Sequence, residues 1–244
     1  MKVGVIGAKG RMGAEVCRAV EASDDLTLVG AVDAGDDFSP LLDADVVVEF
    51  TVPDATLGNI AWCIEHGIDV VVGTTGFDDD KLDHVRQLLQ GKGSRVLIAS
   101  NYSIGAILMM EFARQAAPYF ESVEIIELHH PNKVDAPSGT AATTARKIAD
   151  ARARAGLGPV PDATTHDPGN ARGANVDGIH VHAVRQRGLF ANQQVLFGNQ
   201  GEALTITANS FERSCYMPGV LTAVRAIKGL TGLTLGIESL LGIG

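Results

Sequence analysis

The chain is short of several things that would commit it to other chemistries. Its three cysteines, Cys17, Cys63 and Cys215, are odd in number and lie far apart. That spacing disfavours a disulfide framework and holds no metal-ligand pattern, so a reducing compartment and no metal are the expectation. Cationic residues are outnumbered, 20 Lys and Arg against 29 Asp and Glu, for a net charge of −9. Such a balance lacks the electrostatic footprint of a nucleic-acid or anionic-membrane binder. Any positive potential for an anionic substrate must therefore be local. No apolar run approaches the ~20 residues that cross a bilayer, and no basic segment with a cleavage site opens the chain. A soluble cytoplasmic protein with no membrane partner is expected. The single tryptophan, set against 28 glycines, suits an α/β protein with many tight turns better than a β-sandwich.

With 244 residues, 45% of them hydrophobic, there is enough chain for one large or two modest cores. Short β-branched runs at 1–7, 26–33, 45–51, 69–74 and 95–100 alternate with helical segments at 10–22, 54–66 and 78–90. Asp54 and Asp78 stand where N-caps belong, and Gly67 and Gly91 where helices end. This rhythm predicts right-handed crossovers and a parallel sheet covered on both faces. Beyond Asn101 the rhythm changes. A long helix is expected over 104–120, a strand over 121–128, and a helix from Thr140 to about 155. A loop follows over 156–175, then strands over 178–186, 190–197 and 203–210, joined by turn residues at 187–188 and 199–201. A helix over 218–229 is read as returning to the first domain. The expected fold is α/β: an N-terminal Rossmann-type parallel sheet plus an α+β substrate and oligomerisation domain with an open mixed sheet. The expected boundaries are 1–101 plus 212–244 for the dinucleotide-binding domain and 102–211 for the second.

The run Gly7-Ala-Lys-Gly10-Arg-Met-Gly13 lies between the first strand and the first helix. Glycines there permit a tight turn, close approach of backbone N–H groups to a pyrophosphate, and close helix–strand packing. The spacing is G-x-x-G-x-x-G, and a glycine-rich turn alone is often only a turn. Its place after a buried strand, with Asp33 at the end of the next, strengthens the cofactor reading. Asp33 would accept from a ribose 2′-hydroxyl and repel a 2′-phosphate, which Lys9 and Arg11 could offset. NADH with NADPH tolerated is the expectation. Gly73, Thr74 and Thr75, and Ala99, Ser100, Asn101 and Tyr102, fall at the carboxyl ends of two further parallel strands, where ligands bind in open α/β sheets.

The richest segment is Glu127-Leu-His-His-Pro-Asn-Lys-Val-Asp-Ala-Pro-Ser-Gly-Thr140. It places His129, His130 and Lys133 beside Ser138, Gly139 and Thr140 at a helix start, a location that attracts carboxylates. If the strand persists, the two histidines point to opposite faces, and one of them would serve as general acid near neutral pH. His66, His84, His166, His180 and His182 lack such company and read as structural or solvent-facing.

This segment resembles the signature E-x-H-H-x-x-K-x-D-x-P-S-G-T of the dihydrodipicolinate reductases. The opening glycine run, Val72-Gly-Thr-Thr-Gly76, Asn101-Tyr-Ser-Ile-Gly105 and the strand pair from Arg185 to Phe197 are similar too, and in Lys9 and Asp33 the likeness is greatest to the shorter actinobacterial members. The resemblance implies His129 as proton donor and Lys133 as second catalytic group. It implies His130, Ser138, Gly139 and Thr140 as substrate-binding residues. Cofactor contacts are implied for Gly7, Ala8, Lys9, Gly10, Arg11, Met12, Asp33, Gly73, Thr74, Thr75, Ala99, Ser100, Asn101 and Tyr102. It further implies use of NADH and NADPH, a small cyclic dicarboxylate substrate and a homotetramer assembled through the second domain's sheets. One departure is Glu49-Phe50-Thr51, where the family usually carries aspartate; a local shift is expected. Competing readings are another two-domain NAD(P) dehydrogenase acting on an amino acid or semialdehyde, which should lack the His-His-x-x-Lys cluster, and a non-catalytic NADH sensor.

Overall fold

A computed structural model describes residues 1–243. The chain divides into two compact units, Met1–Ser103 with the chain from Arg213 onward, and Ile104–Glu212.

The first unit is built on a six-stranded sheet. Its strands are β1 (Lys2–Ile6), β2 (Thr27–Val32), β3 (Val46–Glu49), β4 (Asp69–Val72), β5 (Val96–Ile98) and β11 (Leu233–Leu235). The order is β11-β5-β4-β3-β1-β2, and every neighbouring pair is parallel. Runs such as Val46-Val-Val48 and Val70-Val-Val72 are fully buried. That agrees with a sheet covered on both faces, each buried valine contributing about 1.5–3 kcal/mol relative to exposure. Helices α1 (Arg11–Glu21), α2 (Thr56–Glu65), α3 (Asp79–Leu88) and α6 (Met217–Ala226) supply the cover. The chain leaves β1 toward β2 on one side and later returns to β3 on the other, so the strand order reverses between β1 and β3. Ligands bind at the carboxyl end of such a switch point.

Two local expectations change. Asp78 caps α3, accepting the N–H of Lys81 at 2.9 Å, but Asp54 does not cap α2. That helix begins one residue further on, with Ala55 at the N-cap in helical backbone geometry. The N–H groups of Ala55 and Thr56 instead donate to the carbonyl of Val52, so a turn does the work of a side-chain cap. In addition, β11 was not anticipated.

The second unit holds a mixed five-stranded sheet in the order β10-β9-β6-β8-β7. The strands are β6 (Ser122–His129), β7 (Ala174–Val176), β8 (Ile179–Arg185), β9 (Ala191–Asn199) and β10 (Glu202–Ser210). Helices α4 (Ile104–Ala116) and α5 (Gly139–Arg154) pack together, α4 against β10 and α5 against β8 and β6. The turn at 187–188 does not make a hairpin. β8 runs parallel to β6 on one side, and β9 runs antiparallel to it on the other. The connection therefore steps across the end of β6, where the N–H of Gln186 donates to the carbonyl of His129 at 3.0 Å. β9 and β10 do pair directly, as their short turn predicts. Among the described residues no helix is long and apolar enough to cross a membrane.

Candidate active site

In the first unit the glycine turn follows β1. The N–H groups of Gly7 and Ala8 both donate to the carbonyl of Val32, at 2.9 and 3.0 Å, which stitches the turn to the end of β2. Gly7 has φ +85°, and a Cβ there would lie 2.1 Å from the carbonyl oxygen of Phe50. A Cβ on Gly13 would lie 2.0 Å from the Gly7 oxygen. These two glycines are needed for the packing of β1, β3 and α1. Gly10 differs: it is exposed, and a Cβ would meet only the Gly7 oxygen, at 3.0 Å. It is also the N-cap of α1, with no side-chain cap hydrogen bond and no acidic residue in the first turn. Such a helix start is suited to an anionic group such as a pyrophosphate. Lys9 and Arg11 are exposed beside it, with Ala8 and Met12 partly so.

Asp33 accepts the N–H of Lys9 at 2.7 Å through one oxygen and that of Ala34 at 2.9 Å through the other. Its carboxylate thus stands against the glycine turn. The ammonium of Lys9 does not reach it, pairing instead with Asp36 at 3.0 Å.

The loops after β3, β4 and β5 are tied together. Thr51 N–H donates to Oγ1 of Thr74 at 2.8 Å, and the hydroxyl of Tyr102 donates to the carbonyl of Val72 at 2.7 Å. Asn101 Oδ1 accepts the N–H of Ser103 at 2.8 Å. Gly73 has no room for a side chain, since a Cβ would fall 1.9 Å from the Phe50 ring. Thr74, Ala99 and Tyr102 are buried, whereas Thr75 and Ser100 are exposed at the carboxyl edge. Behind this edge lies Glu49, fully buried, which accepts from the hydroxyls of Thr51 and Thr56 (the latter at 3.0 Å) and from Nδ2 of Asn59 at 3.1 Å. The extra methylene relative to aspartate is accommodated within that ring of donors.

In the second unit the site grows from the end of β6. Val123, Ile125, Glu127 and His129 alternate along one face of the strand. The first three are buried, which sets a carboxylate in a row of apolar side chains. Such a group must be paired. Glu127 receives Arg185 from β8 in a two-pronged contact, Nη2 to Oε1 at 2.7 Å and Nη1 to Oε2 at 2.8 Å. Its Oε2 also meets Nδ1 of His129 at 2.5 Å, and its Oε1 accepts the N–H of Ser138 at 3.1 Å. Burial works to raise the Glu127 carboxyl, but the hydrogen bonds from His129 and Arg185 outweigh it and hold the group down at about 2.

The loop after β6 places Lys133 with its ammonium on Asp135 at 2.7 Å. Asp135 also accepts the N–H of Gly139 at 3.3 Å, while burial opposing its charge is overcome by Lys133. Ser138 is buried and caps α5, its hydroxyl accepting the N–H of Ala141 at 3.1 Å. Gly139 is exposed and Thr140 half-buried. His130 is half-buried, with its ring 6.4 Å from that of Phe190 and its buried Nδ1 without a hydrogen-bond partner. One segment thus carries His129, His130, Lys133 and the start of α5.

Arg185 and Glu127 were missed as site residues. Glu127 had a signal, since a charge two residues before His129 on a strand shares its face. Arg185 comes from 58 positions away and had none. His180 and His182 have the structural role expected of them, with charged partners that the sequence did not show. His182 Nε2 meets Glu124 at 2.6 Å, and His180 Nε2 lies 3.6 Å from Asp162. Arg172 bridges these two carboxylates, so both histidines sit in a charged cluster fastening the 162–172 loop to the sheet.

A parallel sheet whose switch point carries a glycine turn and an anion-suited helix start, with a second unit bearing a carboxylate-backed histidine, defines a class: oxidoreductases that work with a nicotinamide dinucleotide. Family models narrow it. Residues 1–102 match "Dihydrodipicolinate reductase, N-terminus" and residues 105–241 match "Dihydrodipicolinate reductase, C-terminus". The chain belongs to the dihydrodipicolinate reductase family. It is 59% identical to the 4-hydroxy-tetrahydrodipicolinate reductase of Cutibacterium acnes, covering 100% of this chain and 99% of that one. Identity to the Thermobifida fusca enzyme of the same name is 60%, covering 100% of both. Among solved structures, the dipicolinate-bound dihydrodipicolinate reductase from Paenisporosarcina sp. TG-14 superimposes with a TM-score of 0.86 at 33% identity, over 98% of each chain.

Proposed function

We propose that this chain reduces 4-hydroxy-tetrahydrodipicolinate to tetrahydrodipicolinate in lysine and diaminopimelate biosynthesis, with NADH or NADPH as reductant and water as the other product. One substrate, one reduced cofactor and one proton give one product, one oxidised cofactor and one water. When bound, the cofactor supplies a hydride to C4 of the cyclic dicarboxylate.

The chain's own residues do the rest. Gly7, Ala8, Lys9, Gly10, Arg11 and Met12 bind the pyrophosphate, and Asp33 the adenosine ribose. Gly73, Thr74, Thr75, Ala99, Ser100, Asn101 and Tyr102 shape the nicotinamide end, with Thr74, Ala99 and Tyr102 acting from within the packing. Lys133, His130, Ser138, Gly139 and Thr140 hold the two carboxylates by charge and hydrogen bonds. His129 delivers the proton that the electron-rich ring carbon takes up after hydride arrives. The single observation that carries this reading is the carboxylate-backed His129 on the same strand–loop–helix segment as Lys133. The protein works in the cytoplasm as a homotetramer, the second unit forming the subunit contacts.

Following NADH absorbance with synthase-generated substrate tests the reaction, with lactate and a semialdehyde as controls. Consumption with the semialdehyde alone would favour the other dehydrogenase reading; NADH binding without consumption on any of them would favour a sensor.

A further inference from the structure

We infer that Glu127, backed by Arg185, is the positioning residue of His129: it holds the ring with Nδ1–H on the carboxylate and leaves Nε2 as the atom that gives up the proton. This rests on the reading of His129 as donor and goes one residue deeper into it.

Four donors converge on one buried carboxylate: Nδ1 of His129 at 2.5 Å, Nη1 and Nη2 of Arg185 at 2.8 and 2.7 Å, and the N–H of Ser138 at 3.1 Å. A carboxylate has about four acceptor positions and no donor when ionised, so the count fills it. Arg185 is itself fixed, donating to the carbonyls of Val184 and Asp135 at 2.8 and 2.7 Å. A guanidinium that cannot swing away keeps the Glu127 charge in place. With Nδ1 bound as a donor, the neutral ring can carry its proton only there, and Nε2 is the exchanging atom. After Nε2–H has gone to substrate carbon the ring remains neutral with Nδ1–H, and solvent returns a proton to Nε2. Glu127 stays ionised throughout.

A merely structural ion pair explains less. Backbone hydrogen bonds already join β6 to β8, and an apolar pair of similar size would pack as well as a buried Glu–Arg. What the carboxylate adds is the imidazole, whose side chain keeps 13% exposure. Charged groups around it are Arg185 from β8 and Lys133 and Asp135 from the loop. β9 offers neutral Ala191 and Gln193 opposite His129 and Glu127, and α5 begins with neutral Ser138 and Gly139.

The test combines ¹⁵N NMR of histidine-labelled protein with kinetics on Glu127→Gln, Glu127→Asp and His129→Gln. In the unaltered protein the neutral His129 ring should be the Nδ1–H tautomer; an Nε2–H tautomer overturns the inference with no variant needed. Glutamine offers a single acceptor oxygen, so Glu127→Gln should give mixed tautomers and a kcat lower by about 100-fold or more. KM should stay within about threefold, as expected for a loss felt in the transition state. Glu127→Asp should recover the single tautomer and the turnover in part. An unchanged tautomer in a folded Glu127→Gln overturns the inference; if that variant does not fold, the tautomer of the unaltered protein and that of Glu127→Asp decide. Full turnover in His129→Gln would instead remove His129 as donor, a separate failure.

Discussion

Asp33 reaches back to the glycine turn that precedes it in the chain, one oxygen accepting the backbone N–H of Lys9 at 2.7 Å. The end of β2 and the glycine turn are thereby one piece, and under the proposed function the carboxylate charge faces the ribose 2′-substituent. Asp33→Ala should shift preference toward NADPH by removing that repulsion. The ratio of kcat/KM with NADPH to that with NADH, measured on both proteins, checks it; an unchanged ratio would place the 2′-position elsewhere.

His129→Ala should lose about 10²–10⁴ in kcat, the usual cost of removing a general acid. Lys133→Ala should lower kcat and raise KM together, about 10–100-fold in kcat/KM, because in the proposed function its charge meets the dicarboxylate in ground and transition states alike. Steady-state kinetics separate the two patterns. A Lys133→Ala protein impaired only in NADH binding would mean that the lysine serves the cofactor.

The two kinds of glycine in the first turn can be told apart. Gly13→Ala sets a methyl against the Gly7 carbonyl and should destabilise by about 1–3 kcal/mol. Gly10→Ala meets only one oxygen at 3.0 Å, so its melting temperature should change little. Its NADH affinity should nevertheless fall by roughly tenfold, since the backbone approach to phosphate is what the bare Cα provides. Thermal melts beside NADH titrations give both readings.

Acid should weaken the second unit over a defined window. Hydrogen bonding from Arg114, with Gln115 adding to it, holds Glu111 at about 2 against its ordinary 4.5, and Glu127 lies equally low. Both carboxyls bind protons more weakly folded than unfolded. Their stabilisation is therefore complete above about pH 4.5 and drains away as pH falls toward 2. Glu111→Gln should be less stable at neutral pH yet show a flatter loss across that window. Urea midpoints at several pH values would show it, and parallel curves would contradict it.

Most of the first sheet was legible because its strands are runs of buried β-branched residues separated by helices of ordinary length. β7 and β11 escaped notice because three residues carry almost no periodicity and neither is a fully buried apolar run like Val96–Ile98. The β8–β9 connection has turn chemistry, but local chemistry says only that the chain reverses; β6 occupying the place between them is a long-range fact. The site shows the same division. His129, Lys133 and the start of α5 are neighbours in sequence and could be read together, whereas Arg185 joins them only through the pairing of β6 with β8. The link from Thr51 to Thr74 was invisible for the same reason.

The sheet that begins at Lys2 receives its last strand from residues 233–235 and the helix against α1 from residues 217–226. A nascent polypeptide therefore extends through the whole of residues 104–212 before β5 can acquire its outer neighbour β11, whereas β1 to β5 can already pair among themselves.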